Sequence, residues 1–359
     1  MSATPGRPCQ ARTEAKGEGP PVSAPTPSLD PYRTPWRWPE LAVWVLVAGV
    51  WFVFPDRLAL GTQVLVAALF ALSLDLAMGY AGIVTLGHAA YLGLGAYAAG
   101  WLGKYGWTEP LSGAVIAMAA AALLGLATAR AVAAGTHLSG LMVTLGLGLL
   151  LFEAANKATE YTGGVDGLQG VTIAPVLGIF RFDFASKTAY AYSAAWLLLA
   201  VLLVRRVVGS PFGLSLRGMR QNARRTAALG VHNGRVLAMA YTLSAALAGL
   251  AGALLAQTTQ YVALDALAFH RSADVVTMLV IGGAGYLYGG LLGAALFIVL
   301  QDALSGINPV YWQFWLGLAL VLVMLFMPDG VMGAAARARA WWRRRGAAEA
   351  KIAKGEDSA

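Results

Sequence analysis

Apolar stretches long enough to cross a bilayer, roughly 17–25 residues each, run at about 41–55, 59–78, 111–133, 136–152, 190–208, 236–257 and 311–328. A chain with so many hydrophobic blocks in series has few folds open to it. A transmembrane β-barrel would alternate apolar and polar residues over strands of about ten residues, and no such alternation is visible. Two further blocks, at about 80–102 and 273–304, are apolar but dense in glycine. The composition agrees with a membrane protein: 58% of residues are hydrophobic and 12% are charged, where soluble domains carry about 25% charge. The 43 glycines suit helices that approach closely, because lipid supplies no hydrophobic drive between helices and small side chains let backbones meet. The sequence predicts an all-α fold, a polytopic transmembrane helical bundle of about 8–10 membrane segments, some of them short or broken at Gly-rich stretches.

Charge sets the expected orientation. Residues 205–235 hold Arg205, Arg206, Arg217, Arg220, Arg224, Arg225 and Arg235 with no acidic residue, whereas residues 153–189 mix Glu153, Glu160, Asp166 and Asp183 with Lys157, Arg181 and Lys187. The first loop is expected inside and the second outside. The net charge of +8 gathers beside apolar spans, which is positive-inside topology and not a nucleic-acid footprint. Tryptophans at span ends, among them Trp36, Trp38, Trp101, Trp107, Trp312 and Trp315, suit the membrane interface. Residues 1–40, polar and without an apolar signal-peptide core, are expected to form a disordered cytosolic tail, and 331–359 a basic cytosolic tail with Arg337, Arg339, Arg343, Arg344 and Arg345. The transmembrane domain is expected over 41–330, with both termini cytoplasmic. Cytoplasmic positions for Arg235 and Arg337 require an even number of crossings between them, so 273–304 must be split.

The split has a visible cause in "IGGAGYLYGGLLGAA", residues 281–295. Gly282, Gly283, Gly285 and Gly289 weaken helix continuity, and Gly285, Gly289 and Gly293 also form a GxxxGxxxG face suited to close packing. Tight packing and a discontinuous helix beside a pathway both remain open. The earlier segment "MGYAGIVTLGHAAYLGLGAYAAG", residues 78–100, poses the same choice through Gly79, Gly82 and Gly87, and its opening resembles Gly282–Gly285. Interrupted helices in corresponding halves of a chain point to transporter pathways.

No enzyme constellation is present. There is no GxxxxGK[ST] phosphate loop, no HExxH motif and no GxSxG elbow, so no catalytic residue is expected. The one cysteine, Cys9, and the dispersed His88, His137, His232 and His270 offer no metal site. Charges within or beside the spans are costly and often functional. They are Asp75, His88, Arg130, Asp274 and Asp302, and Asp75 and His88 stand either as helix-end and packing groups or as pathway groups.

Between two spans lies "SPFGLSLRGMRQNARRTAALG", residues 210–230. Pro211 and Gly213 suggest a turn, followed by an amphipathic helix that mixes Leu214, Leu216, Met219, Ala223, Ala227 and Ala228 with arginines and ends at Gly230, a helix C′ position. It could lie on anionic lipid or dock a cytosolic partner.

At these residues the chain resembles the permeases of high-affinity branched-chain amino acid ABC importers. The motifs are Ser210-Pro211-Phe212-Gly213, Ala228-Leu229-Gly230, "SAALAGLAGALLA" at 244–256, "GYAGIVTLGHAAYLGLGAY", "TGGVDGL" at 162–168 and "VIGGAGYLYGGLLGAAL" at 280–296. They span about residues 60–330. The resemblance implies a multi-pass protein of a bacterial inner membrane that forms a translocation pathway for branched-chain or related amino acids. It implies as partners a second homologous permease, two ABC ATPase subunits and an extracytoplasmic solute-binding protein, beside membrane lipid. No cofactor would sit in this chain, and ATP and Mg would be bound by the ATPase subunits. Residues 209–235 would be the ATPase-coupling loop, with Ser210, Pro211, Phe212, Gly213, Arg217, Arg220, Asn222, Ala228, Leu229 and Gly230 as its contact or shape residues. Thr162, Gly163, Gly164, Asp166 and Gly167 would form an external loop. The sequence departs from the family pattern at Gln221, Arg224, Arg225 and Ala227, which make the loop unusually basic, and at Val165, where a serine is common. Urea or short amides are alternative solutes within the same family. A stand-alone secondary carrier or channel, using Asp75 and His88, and a membrane anchor without transport are the competing classes.

Overall fold

Inside a bilayer the main chain can satisfy its own N–H and C=O groups only as helix or as closed barrel, and this chain takes the helical solution. The computed structural model describes residues 38–134, 137–175, 186–307, 309, 311–326, 330–335 and 337. The helices are α1 (Trp38–Val53), α2 (Leu58–Leu74), α3 (Ala89–Lys104), α4 (Pro110–Ala134), α5 (His137–Lys157), α6 (Thr159–Thr162), α7 (Lys187–Val208), α8 (Pro211–Ala228), α9 (Asn233–Thr259), α10 (Phe269–Gly282), α11 (Gly289–Ile307) and α12 (Trp312–Phe326). Nearly all of the expected tail 1–40, with Cys9 and Trp36, lies outside the described residues, as do Arg181, Asp183, Arg339 and Arg343–Arg345.

Six helices among the described residues are long and apolar enough to cross a membrane: Pro55–Tyr80, Pro110–Val132, Leu138–Lys157, Lys187–Val208, Asn233–Thr259 and Gly289–Ile307. Shorter apolar helices, Ala42–Val53 and Trp312–Val323, lie in α1 and α12. Helices α3 and α10, of 16 and 14 residues, are the short segments that the glycine-dense blocks predict.

Helix α9 is the centre of the bundle and is buried along most of its length from Ala240 to Gln257. Its small residues let neighbours approach backbone to backbone. A Cβ on Gly95 of α3 would overlap the Gly249 main chain, one on Gly252 would overlap the Leu92 carbonyl, and one on Gly249 would overlap Ala121 of α4. Large apolar side chains left exposed, such as Leu123, Met142, Leu150 and Leu325, are available to lipid. Helix α8 lies at one end of the bundle, because α7 delivers the chain to it and α9 carries the chain away. The last residue of α9, Thr259, marks the opposite end. That helix has 27 residues and is therefore about 40 Å long at 1.5 Å per residue.

Both glycine blocks are broken. Helix α2 runs into a π-helix over Asp75–Tyr80, and irregular chain then leads to α3. Helix α10 stops at Gly282, with Gly283 at φ +107° and Gly285 at φ +87°, before α11 begins at Gly289. The split of 273–304 is thus present, and its glycines both interrupt the helix and pack closely. A Cβ on Gly282 would overlap the Gly289 carbonyl and one on Gly293 the Met278 carbonyl, so the residues that break the chain also pack the resulting hairpin.

The 210–230 segment differs from the sequence expectation in two respects. Pro211 and Gly213 are already helical: Pro211 occupies the first turn of α8, where its fixed φ and missing N–H are tolerated. Gly213 packs on the Val208 main chain, where a Cβ would overlap the carbonyl. The single amphipathic helix is instead kinked at Asn222, which has φ −157° and ψ 96°. Its side-chain oxygen accepts the Arg225 N–H at 3.0 Å, so Asn222 is an N-cap for the following turn.

Candidate functional site

The two breaks and the amphipathic helix α8 meet at one place. Asp75 begins the π-helix, is fully buried, and accepts a hydrogen bond at Oδ1 from the Gly285 N–H at 2.7 Å. Its Oδ2 has no partner among the described residues. Gly79 has no room for a side chain, because a Cβ would strike the Asp75 carboxylate and lie 2.6 Å from the Gly285 nitrogen. The Gly79 carbonyl accepts a hydrogen bond from the Arg220 guanidinium of α8. Gly82, at φ +74°, faces the Arg220 stem, which a Cβ would meet at 3.2 Å. The two Gly-x-Ala-Gly segments that resemble one another in sequence, 79–82 and 282–285, are therefore in contact, with Arg220 against both.

Helix α8 is held there by its apolar face. Leu216 and Met219 are buried against Ala81 and Ala240, with Phe212, Ile83, Val236 and Leu237 around them. Burying a side chain of this size contributes about 1.5–3 kcal/mol. That face is covered by protein and not by lipid. Arg217 donates to the Val208 carbonyl at 3.0 Å and lies over the Tyr80 ring, 5.7 Å from its centroid. Beyond Asn222 the segment is exposed apart from Thr226, and Leu229 is 81% exposed.

The segment ends as the glycine predicts. Gly230 has φ +88°, its N–H bonds to the Ala227 carbonyl, and the Val231 N–H bonds to the Thr226 carbonyl. This is the paired pattern of a Schellman cap. Ser210 precedes Pro211 in extended conformation, with its hydroxyl on the Val207 carbonyl.

His88 lies on the other side of this junction. It is fully buried, its ring stacks on Phe70 with centroids 5.5 Å apart, and its Nε2 pairs with Ser73 Oγ at 2.9 Å. Gly87 backs onto the Thr144 main chain of α5. His88 and Asp75 both adjoin the end of α2 and share no hydrogen bond among the described residues.

At the opposite end, Gly163, Gly164 and Gly167 all have positive φ. The Thr162 hydroxyl ties the turn to the Ala155 carbonyl. Tyr261 donates to the Asp166 carbonyl at 2.8 Å, and Leu168 pairs with Val262 as an antiparallel bridge. Sequence reasoning did not find the cavity that Tyr261 and Val262 line on their other side, about 450 Å³ between α2, α3, α9, α10, α11 and residues 261–266. The signals for it were Asp274 and Asp302 in or beside apolar stretches. Among the described residues, no cluster of His, Cys, Asp and Glu could hold a metal ion.

Broken helices buried in protein, arranged around a cavity and gripped by a helix outside the bundle, define a polytopic membrane transport protein. A profile of the family described as "Branched-chain amino acid transport system / permease component" matches residues 57–327, and the chain belongs to that family. It is 28% identical over 314 residues to the high-affinity branched-chain amino acid transport system permease protein LivM of Salmonella typhimurium, covering 80% of this chain and 72% of the relative. Its similarity to LivM of Escherichia coli is also 28%, over 312 residues, with the same shares covered. LivH of Escherichia coli is 24% identical over 290 residues, covering 74% of this chain and 91% of the relative. No solved structure matches the chain. The protein is a multi-pass permease component of an inner membrane.

Proposed function

We propose that this chain is one of two permease subunits of an ABC importer for branched-chain or related amino acids, and that α8 is its coupling helix. The observation that carries this reading is the contact of Arg220 with Gly79, where α8 meets both helix breaks. The first half of α8 is anchored in the bundle, and its second half, from Asn222 to Gly230, offers a largely exposed basic surface with Leu229 at its tip. A passive bundle concentrates a solute only if something binds its two access states differently. Two ABC ATPase subunits, holding ATP and Mg and closing against α8, would supply that difference, with a second homologous permease completing the pathway. An extracytoplasmic binding protein would deliver the solute at the rim formed by residues 162–168. In this arrangement α8 and both termini are cytoplasmic.

The test is purification of the protein from its native membrane with whatever stays bound. Recovery of a second permease and ATPase subunits, with hydrolysis stimulated by a leucine-loaded binding protein, is expected. Stimulation only by a urea- or amide-loaded binding protein would change the solute. Recovery of the chain alone, with flux in liposomes needing no ATP, would overturn the importer reading in favour of a carrier.

A further inference from the structure

The cavity at the end away from α8 has a divided lining. It reaches along α2 from Leu60 to Phe70, a depth of about 15 Å at 1.5 Å per residue. That is about half the thickness of a bilayer's hydrocarbon core. Its size lies in the range of small-molecule sites. Val66, Phe70, Val275 and Met278 form apolar wall and floor and are buried. The His88 ring stacks on Phe70.

Three carboxylates line the cavity: Asp265, Asp274 and Asp302. Asp265 is engaged by His270 at 2.8 Å and by Arg271 at 2.7 Å. Asp302 faces Arg57 at 3.4 Å. Among the three, Asp274 alone has no hydrogen-bond or ion-pair partner among the described residues, although it sits in the second turn of α10, partly buried. The charges of Arg271 and His270 act on it without a direct contact, and a partly buried carboxylate left without one is costly and marks a candidate solute or ion path.

Four cavity residues, Arg271, Asp274, Val275 and Met278, lie at i, i+3, i+4 and i+7 on α10, which places them on one helix face. From the mouth inward, that face presents a guanidinium, then a carboxylate, then apolar side chains. The first two are about 5–6 Å apart at Cβ by helix geometry, a spacing suited to the two charged groups of an α-amino acid. Asp265 engages Arg271 through Nε and Nη2, and a guanidinium has five N–H donors, so donors remain for a second carboxylate.

We propose that this cavity is a binding site for the solute in transit, a zwitterionic α-amino acid with an apolar side chain. Asp274 takes the ammonium, Arg271 takes the carboxylate, and the side chain rests on Phe70 and Met278. The proposal rests on the importer reading above and adds the site to it. It also favours an amino acid over urea, which has no cationic group to satisfy Asp274.

The test uses the whole complex reconstituted in liposomes with its binding protein. Asp274→Asn keeps the shape of the side chain and removes its charge, and Glu153→Gln, at a paired carboxylate outside the cavity, is the control. Loss of a charge-assisted contact to the solute should lower leucine uptake by about tenfold or more in Asp274→Asn, with ATP hydrolysis still stimulated by the loaded binding protein. Glu153→Gln should transport nearly as the parent does. Parental uptake by Asp274→Asn would overturn the site and leave the importer reading intact, whereas ATP-independent uptake by the parent would sink the importer reading itself. A second measurement leaves Asp274 in place: Ala67→Cys, in a Cys9→Ser background, is alkylated by a small thiol reagent from the far side. Free leucine should slow the alkylation and its α-keto acid analogue, which lacks the ammonium, should not. Equal protection by both, or protection by neither, would overturn the proposal.

Discussion

Arg220 donates to the main-chain carbonyl of Gly79, 141 residues earlier in the chain, and so ties α8 to the π-helical end of α2. Arg220→Ala removes this tie without touching the exposed turn from Ala223 to Gly230. The ATPase subunits should still copurify and hydrolyse ATP, while solute moved per ATP falls several-fold, on the order of the cost of a lost charge-assisted hydrogen bond. Parallel uptake and hydrolysis assays give this ratio, and an unchanged ratio would show the contact to be passive.

Gly230 lies in open space, with nothing within 4 Å of a built Cβ, so any effect of substitution comes from its backbone. Gly230→Val forces a β-branched residue to φ > 0, at about 1–2 kcal/mol, and should lower the ATPase recovered per permease with little change in membrane yield. Gly230→Asn, which tolerates the left-handed region, should recover most of the binding. Quantified subunit ratios decide between them, and equal ratios for the two variants would remove the shape of this cap from the docking surface.

Asp75 separates the importer from a proton-coupled carrier. Asp75→Asn keeps an acceptor for the Gly285 N–H and should preserve yield and at least half of the uptake, on the order of a neutral for a charged hydrogen bond. Asp75→Leu leaves that buried N–H unmatched, a loss of about 1–3 kcal/mol, and should reduce yield. Abolished uptake in a well-assembled Asp75→Asn complex would instead assign the carboxyl a proton-carrying role.

Two glycines of α11 provide a packing test. A Cβ on Gly293 would overlap the Met278 carbonyl, and one on Gly306 meets nothing within 4 Å. Gly293→Ala should lower the thermal stability of the purified protein, whereas Gly306→Ala should be neutral or stabilise it by about 0.4–1 kcal/mol. Melting curves of the two variants in the same detergent check this, and equal shifts would refute the close approach.

The spans were legible because hydrocarbon thickness dictates their length, and the split near Gly282–Gly289 followed from charge parity. The C′ role of Gly230 was legible because a positive φ favours glycine. Asn222 was not: a cap inside a segment of high helix propensity is visible only once neighbouring turns point in different directions. The pairing of Asp75 with Gly285 depends on residues 210 positions apart, and one sequence holds no record of such proximity. The α10 face was missed for a related reason. Arg271 looks like an ordinary span-end charge until Asp265 and the α2 wall are placed around it.

The seams between α3 and α9, and between α10 and α11, are made where glycine main chain meets its neighbour with almost no side chain between. Interlocked side chains can adapt to a new arrangement by changing rotamers, but a glycine has none to change. Such joints leave whole-helix displacement as the main mode of adjustment, so the bundle behaves as a set of stiff links sliding along smooth seams and not as a deformable packing of side chains.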